Sequence, residues 1–315
     1  MSTAHNKRWI GFLAISLNVL FWGLSPVIIK EGLNNVPPEV FLFYRFLFVV
    51  LLSSPLVLVF YKRFLAIRKK SDWLRLLLIG LFTNPLCLIV LFTGMKYTTS
   101  SAAAMIAATV PLFVIFGSWI FLHEKITRYE IFGSLIATFG MGVIITNTPI
   151  QSHAENPFLG NLLVVGHNVL WTTGILLMKK YAKKYKAFVF GYTGWVIGLL
   201  FMSVIVWFTR PTWILQPSLL FSTPQALYPI LYMAVFGSFV AFTAYQVAQQ
   251  YLSASETSIF TYLEPLVTIP LSVLWLKERL SPSLALGMIL LAAGVIVAEK
   301  HTHSRWKKIR STKKK

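Results

Sequence analysis

Aromatic rings and amides within long apolar stretches are the side chains best suited to binding a small organic molecule. Asn18 and Trp22 are four residues apart, as are His167 and Trp171, so each pair shares one face if its stretch is helical. Indole faces and amides suit small zwitterions or aromatic metabolites, and a Trp ring also holds a cation. The same residues would equally serve to pack helices together, and an interior histidine held by hydrogen bonds is the simpler interpretation of His167.

Other apolar stretches add polar or polarisable candidates for the lining of a cavity. These candidates are Asn84, Tyr97, Ser101, Met105, Tyr245, Gln246 and Tyr262. Packing alone accounts for any one of them, whereas together they predict a polar-lined cavity. The turns next to them, around residues 96–98 and 251–254, are very short and predict two tight helical hairpins.

Two charges lie within apolar stretches, where an unpaired charge is costly and usually faces protein or water. Arg45 is a candidate either for contact with an anion or carboxylate, or for a structural tie to helix-end carbonyls or the headgroup boundary. Glu264 precedes Pro265, which frees a backbone carbonyl in the preceding turn. Glu264 is therefore either a hydrogen-bonded residue at a helix kink or a carrier of coupled protons.

The sequence lacks the residue patterns that several kinds of chemistry require. No clustered His, Cys and carboxylate residues have metal-ligand spacing, and no GxxxxGK[ST] motif would bind ATP. Asp72 is the only aspartate. A membrane-embedded enzyme, such as a lipid-modifying transferase, would need several acidic or His residues near the interface. We therefore expect no catalytic residues, metal or cofactor.

The composition indicates a protein whose solvent is the lipid bilayer. Of 315 residues, 56% are hydrophobic and 12% charged, and the net charge is +19. Soluble domains carry about 25% charged residues. The basic excess could suggest nucleic acid, but so apolar a chain has no polar surface left for a soluble binding face. We predict an integral membrane protein without a nucleic-acid partner.

Ten stretches are long and apolar enough to cross a bilayer as helices, which requires about 20 residues each. They are Trp9–Lys30, Val40–Tyr61, Trp73–Met95, Thr98–Leu122, Tyr129–Asn147, Phe158–Met178, Phe188–Thr209, Gln225–Gln250, Ser255–Leu276 and Pro282–Ala298. Their apolar runs are continuous rather than alternating, so the fold class is an all-α membrane bundle and not a barrel. No remaining segment is long enough for a separate soluble domain.

The distribution of Lys and Arg predicts the orientation, because these residues accumulate in short cytoplasmic loops. With the N-terminus inside, 23 of the 29 basic residues fall on the cytoplasmic side and five on the opposite side. We therefore expect both termini in the cytoplasm. The basic tail, residues 300–315, should also attract anionic lipids.

The sequence contains an internal repeat. A shift of 154 positions aligns residues 97–144 with 251–298 without a gap. The matches include Pro111 with Pro265, Glu124 with Glu278, Gly133 with Gly287 and Gly140 with Gly294. Each half has five predicted spans, and because five is odd the two halves must insert with opposite orientation. This inverted repeat is typical of secondary transporters and predicts a substrate site between the halves.

Small residues in the fifth and tenth spans predict close helix packing. Gly133, Ala137 and Gly140 share one helix face, as do Gly287 and Gly294. Such faces pack either within the bundle or against another protomer, so a homodimer is one expectation.

The ordered set of motifs resembles the two EamA repeats of the drug/metabolite transporter superfamily. The motifs are Phe21-Trp22-Gly23 with Lys30, Pro38 through Arg45, Tyr97 to Pro111, and the series Glu124, Gly133, Gly140 and Glu278, Gly287, Gly294. The resemblance implies a ten-helix transporter, often an exporter of amino acids or other small metabolites. It also implies a central cavity lined mainly by the third, fourth, eighth and ninth spans, with contributions from the first and sixth. His123 and Lys277 depart from the family, in which a small residue, often Gly, commonly precedes the Glu.

We therefore predict a secondary transporter of the plasma membrane that exports small organic metabolites such as amino acids by alternating access. Residues 9–148 and 157–299 would form the two EamA-like repeats. An exchanger of nucleotide-bearing or phosphorylated metabolites is the alternative, and it would need several cationic groups in the cavity.

Overall fold

The computed structural model describes residues 8–65, 69–122, 128–150, 154–181, 184–185, 187–252, 260 and 263–299. Tyr262, His123 and Glu124, which the sequence singled out, lie outside the described residues, as does the tail.

The described part of the first half is helical. Its helices are α1 (Arg8–Leu33), α2 (Pro38–Leu65), α3 (Lys70–Thr83), α4 (Pro85–Tyr97), α5 (Ser100–Ala107), α6 (Val110–Leu122) and α7 (Arg128–Asn147). The third predicted span is divided into α3 and α4 at Asn84, because Pro85 cannot donate the next helical hydrogen bond. The fourth is divided into α5 and α6.

The second half follows a similar order. Its helices are α8 (Pro157–Tyr181), α9 (Ala187–Thr209), α10 (Thr212–Leu215), α11 (Ser218–Phe221), α12 (Pro224–Tyr232), α13 (Ala241–Tyr251), α14 (Glu264–Trp275) and α15 (Pro282–Glu299). A π-helical segment, Met233–Val240, joins α12 to α13 without a turn.

The helices have the length and composition of a multi-pass membrane protein. Seven helical stretches of the described chain are long and apolar enough to cross a bilayer, and three shorter apolar helices, Ile131–Asn147, Glu264–Trp275 and Pro282–Gly294, accompany them. The fold is thus an all-helical integral membrane protein. Ten crossings and an inverted arrangement of the repeats stay predictions.

The two halves are interlocked by their first helices. Helix α1 packs against α12, α13 and α14 of the second half, whereas α8 packs against α3, α4, α5 and α6 of the first. Equivalent asparagines strengthen both contacts: Asn18 Nδ2 donates to Ala241 O at 3.1 Å, and Asn168 Nδ2 donates to Ile106 O at 2.7 Å. The centre of the molecule is therefore built from both halves.

Helices α7 and α15 pack tightly on each other through the predicted small residues. A Cβ atom placed on Gly294 would lie 2.3 Å from Ala137 N, and one on Gly140 would lie 2.5 Å from Leu291 N. Backbone atoms cannot move aside as a flexible side chain can. Of the two alternatives for these small faces, packing within the bundle is the one observed.

We predict that Gly294→Ala lowers stability by about 1–3 kcal/mol through overpacking. Gly142→Ala is the matched control, because a Cβ there meets no atom within 4 Å and alanine favours a helix over glycine by about 1 kcal/mol. Thermal unfolding of the detergent-purified proteins measures both changes. Equal midpoints for the two variants would contradict the proposed packing.

Candidate functional site

Four of the predicted site residues meet in an aromatic cluster, which we define as Trp22, His167, Trp171 and Tyr245. The ring centroid of Trp22 lies 6.2 Å from that of Trp171, edge to face, and 5.5 Å from that of Tyr245. His167 stacks on Trp171 at 6.4 Å. The rings come from α1, α8 and α13, so both halves of the chain contribute. The two tryptophans and Tyr245 are only partly buried.

The π-helical segment positions Trp22. In its wider turn, Ala241 N donates a hydrogen bond to Phe236 O and not to the carbonyl four residues earlier, as it would in an α-helix. The indole Nε1 of Trp22 donates to Gly237 O at 2.9 Å, which fixes the ring while leaving its faces to neighbouring groups. Single π-helical turns are often found at functional sites.

His167, Asn18 and Asn168 use part of their hydrogen-bonding capacity within the bundle. His167 Nδ1 lies 3.0 Å from Cys87 O, and the residue is buried. This is the hydrogen-bonded interior histidine that was the simpler interpretation. By contrast, the buried Oδ1 atoms of Asn18 and Asn168 have no partner among the described residues. These two oxygens can accept a hydrogen bond.

Arg45 ties α2 to the π-helical segment. Its Nε donates to Ser238 Oγ at 2.8 Å, and its guanidinium lies 5.7 Å from the centroid of the Phe92 ring. The side chain is only 7% exposed. Of the alternatives for Arg45, a structural tie is observed, although its acceptor is a hydroxyl and not a helix-end carbonyl.

Glu264 begins α14, beside a close approach of that helix to α1. A Cβ on Gly23 would lie 2.8 Å from Val267 Cβ, and Thr268 Oγ1 donates to Gly23 O at 2.6 Å. Glu264 Oε1 is buried without a hydrogen-bond partner among the described residues. A carboxylate oxygen without a hydrogen-bond donor in that position is costly.

The remaining predicted residues occupy other parts of the bundle. Asn84 Nδ2 donates to Thr83 Oγ1 at 3.1 Å, and Gln246 Nε2 approaches Met178 Sδ at 3.4 Å. Met105 belongs to the hydrophobic core, Tyr97 is half-buried at the end of α4, and Ser101 contacts Glu278.

Sequence reasoning placed Lys30 at the end of the first span and in the family motif but missed its role. The side chain is 2% exposed. Its Nζ donates to Met95 O at 2.7 Å, to Lys96 O at 3.2 Å and to Thr98 O at 2.6 Å. These carbonyls lie at or beyond the C-terminus of α4, where the helix itself supplies no donors. An ammonium group is well suited to that end of the helix dipole.

Glu278 plays the complementary role at the N-terminus of α5. Its carboxylate accepts hydrogen bonds from Ser100 N at 2.6 Å and Ser100 Oγ at 2.7 Å. It also accepts from Ser101 N at 3.1 Å and Ser101 Oγ at 2.7 Å. Ser101 Oγ lies 2.5 Å from Ser272 Oγ of α14. The only sequence signal for this role was the match of Glu278 with Glu124 in the repeat.

The turn before Glu278 explains the departure from the family at Lys277. Lys277 has φ 55°, a left-handed conformation in which glycine is favoured. The N–H groups of Leu276 and Glu278 both reach Ser272 O, at 3.0 and 3.2 Å. This sharp reversal directs the Glu278 side chain back towards α5.

A cavity of about 580 Å³ lies beside Lys30 and Glu278. Its other lining residues are Glu31, Asn34, Thr99, Ile150, Ala154, Trp275, Leu276, Lys277 and Arg279. The cavity is charged and opens at the end of the bundle where α1 and α14 finish. Within the described ranges, no group of three His, Cys, Asp or Glu residues is arranged to hold a metal ion.

Comparison with known proteins identifies the family. The EamA-like transporter family matches residues 9–146 and 158–299, which together form most of the sequence. The chain belongs to the EamA-like transporter family. It is accordingly a membrane transporter with a small-molecule substrate, and its two matched ranges correspond to the two repeats that the sequence suggested.

Curated relatives and a solved structure agree with this assignment. An "uncharacterized transporter" of Archaeoglobus fulgidus is 26% identical over 296 residues, covering 92% of this chain and 98% of the relative. The "uncharacterized transporter YvbV" of Bacillus subtilis is 26% identical over 283 residues, covering 90% and 89%. A crystal structure 15% identical in sequence superposes with a TM-score of 0.63, covering 93% of this chain and 96% of its own. That likeness shows the fold.

We predict that Lys30→Met destabilises the protein by about 3 kcal/mol, because it removes the charged group that donates hydrogen bonds to buried carbonyls. Lys96→Met is the control, since Lys96 is exposed at the same helix end. The measurement is the thermal unfolding midpoint of each purified variant. A Lys30→Met protein as stable as Lys96→Met would show that the cap contributes little.

Proposed function

We propose that this chain is a secondary transporter that binds a small organic metabolite, with amino acids the leading class, at the aromatic cluster. The observation that carries the proposal is the meeting of Trp22, Trp171 and Tyr245 at one point between the two halves. Movement of one half relative to the other would then expose the bound solute to alternate sides of the membrane.

The chemistry around the cluster supports a substrate with both apolar and hydrogen-bonding parts. The partly buried rings offer faces to an apolar or cationic group. The oxygen of Asn18, one helical turn from Trp22, and that of Asn168, next to His167, are acceptors without a partner among the described residues. An ammonium or hydroxyl group would satisfy them.

The alternative is exchange of phosphorylated or nucleotide-bearing solutes. The contacts of the cationic side chains support this alternative less well. Arg45 already bonds to Ser238, and Lys30 bonds to three backbone carbonyls. Lys96 is exposed at the end of α4. An anionic substrate would have to compete with these partners.

The direction and setting of transport form part of the proposal. We propose export across the plasma membrane, with both termini cytoplasmic and ten crossings, on the strength of the charge distribution and the repeat. The basic face would contact anionic lipids. A homodimer would need a surface other than the small residues between α7 and α15, because those are used within the chain.

The substrate can be identified by thermal shift of the purified protein against metabolite pools, since a ligand stabilises the state that it binds. Hits are then tested as labelled solutes in liposomes. Movement of an unchanged solute supports transport, whereas a chemically altered product would support a membrane-embedded enzyme instead.

We predict that Trp22→Ala and Trp171→Ala each reduce transport of that solute by about tenfold or more, as expected for the loss of roughly 1.4 kcal/mol of binding. Trp207→Ala is the control, because Trp207 is 52% exposed on the bundle surface. Flux is normalised to folded protein in the liposomes. Wild-type flux in both cluster variants would place the substrate elsewhere.

We also propose that Glu264 carries a proton that is coupled to transport. Glu264→Gln should then lose uphill transport driven by a pH gradient while still equilibrating the solute. Glu39→Gln, which removes a carboxylate bonded to Arg210 at 3.6 Å, serves as the control. Uphill transport by Glu264→Gln at the wild-type rate, or none by the wild type, would show that Glu264 has no coupling role.

A further inference from the structure

The contact of Glu278 with Ser100 and Ser101, which we term the latch, joins the two halves of the chain. Glu278 follows α14 of the second half, and the serines begin α5 of the first half, 177 and 178 residues away. The three side chains are 8%, 0% and 0% exposed. Hydrogen bonds to an ionised carboxylate are about twice as strong as neutral ones, so the latch holds α14 firmly on α5.

The elements that the latch joins are those that flank the aromatic cluster. Helix α14 packs against α1 at Gly23, the residue after Trp22. Helix α5 packs against α8, which carries His167 and Trp171. While the latch is closed, α14 and α5 are held together at the end of the bundle beside the charged cavity.

The surroundings of the latch also allow Glu278 to separate from Ser100 and Ser101. Its partners are polar groups that water can solvate, and the charged cavity of about 580 Å³ beside it includes Glu278 in its lining. The hydrogen bonds of Lys30 to described residues go to the α4 side of the turn, so α4 can stay with α1 when Glu278 moves away with α14. That movement has to overcome the attraction between the Lys30 and Glu278 charges. The four hydrogen bonds of the latch can then exchange with water.

We propose that Glu278 is the gating residue of the transport path: its contact with Ser100 and Ser101 closes this end of the bundle, and each transport cycle breaks and remakes it. The proposal rests on the proposed alternating-access function. It assigns to one carboxylate the closure of the path between α5 and α14.

The first test measures closure without any substrate. Met105, buried one turn beyond Ser101 on the same face of α5, is replaced by Cys in a Cys87→Ala background and labelled with a membrane-impermeant maleimide. Labelling is run separately from each side of the membrane. Glu278→Gln or Ser101→Ala should speed labelling about tenfold from the cavity side only, whereas Glu31→Gln, which removes another carboxylate from the same cavity, should not.

The second test locks the latch region. Because Ser101 Oγ and Ser272 Oγ are 2.5 Å apart, Ser101→Cys with Ser272→Cys in the Cys87→Ala background should form a disulfide between α5 and α14. Oxidation should abolish flux of a labelled amino-acid mixture from loaded liposomes, and reduction should restore it. Each single-Cys parent, treated in the same way, controls for the oxidant.

The outcomes separate the latch from the proposed substrate. Unchanged labelling in both Glu278→Gln and Ser101→Ala, or full flux through the oxidised double-Cys protein, would overturn the gating role. If Glu278→Gln does not fold, Ser101→Ala decides the labelling test. If neither the Cys87→Ala background protein nor the reduced double-Cys protein moves an amino acid, the proposed substrate class fails while the labelling result still decides the latch.

Discussion

The turn between α4 and α5, which joins the third and fourth spans, is the constraint on which this end of the bundle depends. In a bilayer, every buried backbone N–H and C=O needs a partner within the protein, and a break between two helices exposes both kinds. Lys30 supplies the donor for the carbonyls at the end of α4, and Glu278 supplies the acceptor for the N–H groups that begin α5. One break is thus stabilised by opposite charges from two other elements, α1 and the turn after α14. This couples helices of both halves near the aromatic cluster.

Composition and periodicity predicted the coarse structure because they report burial in lipid directly. The apolar runs identified the helices, and the four-residue spacing of Asn18 with Trp22 and of His167 with Trp171 correctly anticipated shared faces that come together. The small residues of α7 and α15 were recognised from the same kind of pattern. The sequence could not show that Pro85 divides a span, or that the eighth span contains a π-helical segment, since both depend on local hydrogen bonding.

The roles of individual charges were harder to predict, because they depend on partners that are distant in sequence. Lys30 was placed at the end of the first span, but its burial against α4 was not predicted, because nothing local to residues 28–32 indicates that contact. Arg45 was considered for anion binding or for a structural tie, and its Nε contacts Ser238. Lys277 departs from the small residue expected at its position, and it takes the left-handed conformation that this turn imposes on its second residue. For each of these residues the local sequence shows the charge, and only the tertiary structure shows which group that charge contacts.

In the proposed function, the substrate binds between the two halves, at rings supplied by both. Photo-crosslinking tests it most directly: a photoactivatable amino-acid analogue is irradiated with the purified protein in liposomes, and the modified residues are mapped by peptide mass spectrometry. We expect adducts on α1 at Trp22 together with adducts on α8 or α13, all suppressed by excess unlabelled substrate. Competed adducts confined to the charged cavity around Lys277 and Arg279, with none on α1, α8 or α13, would contradict it.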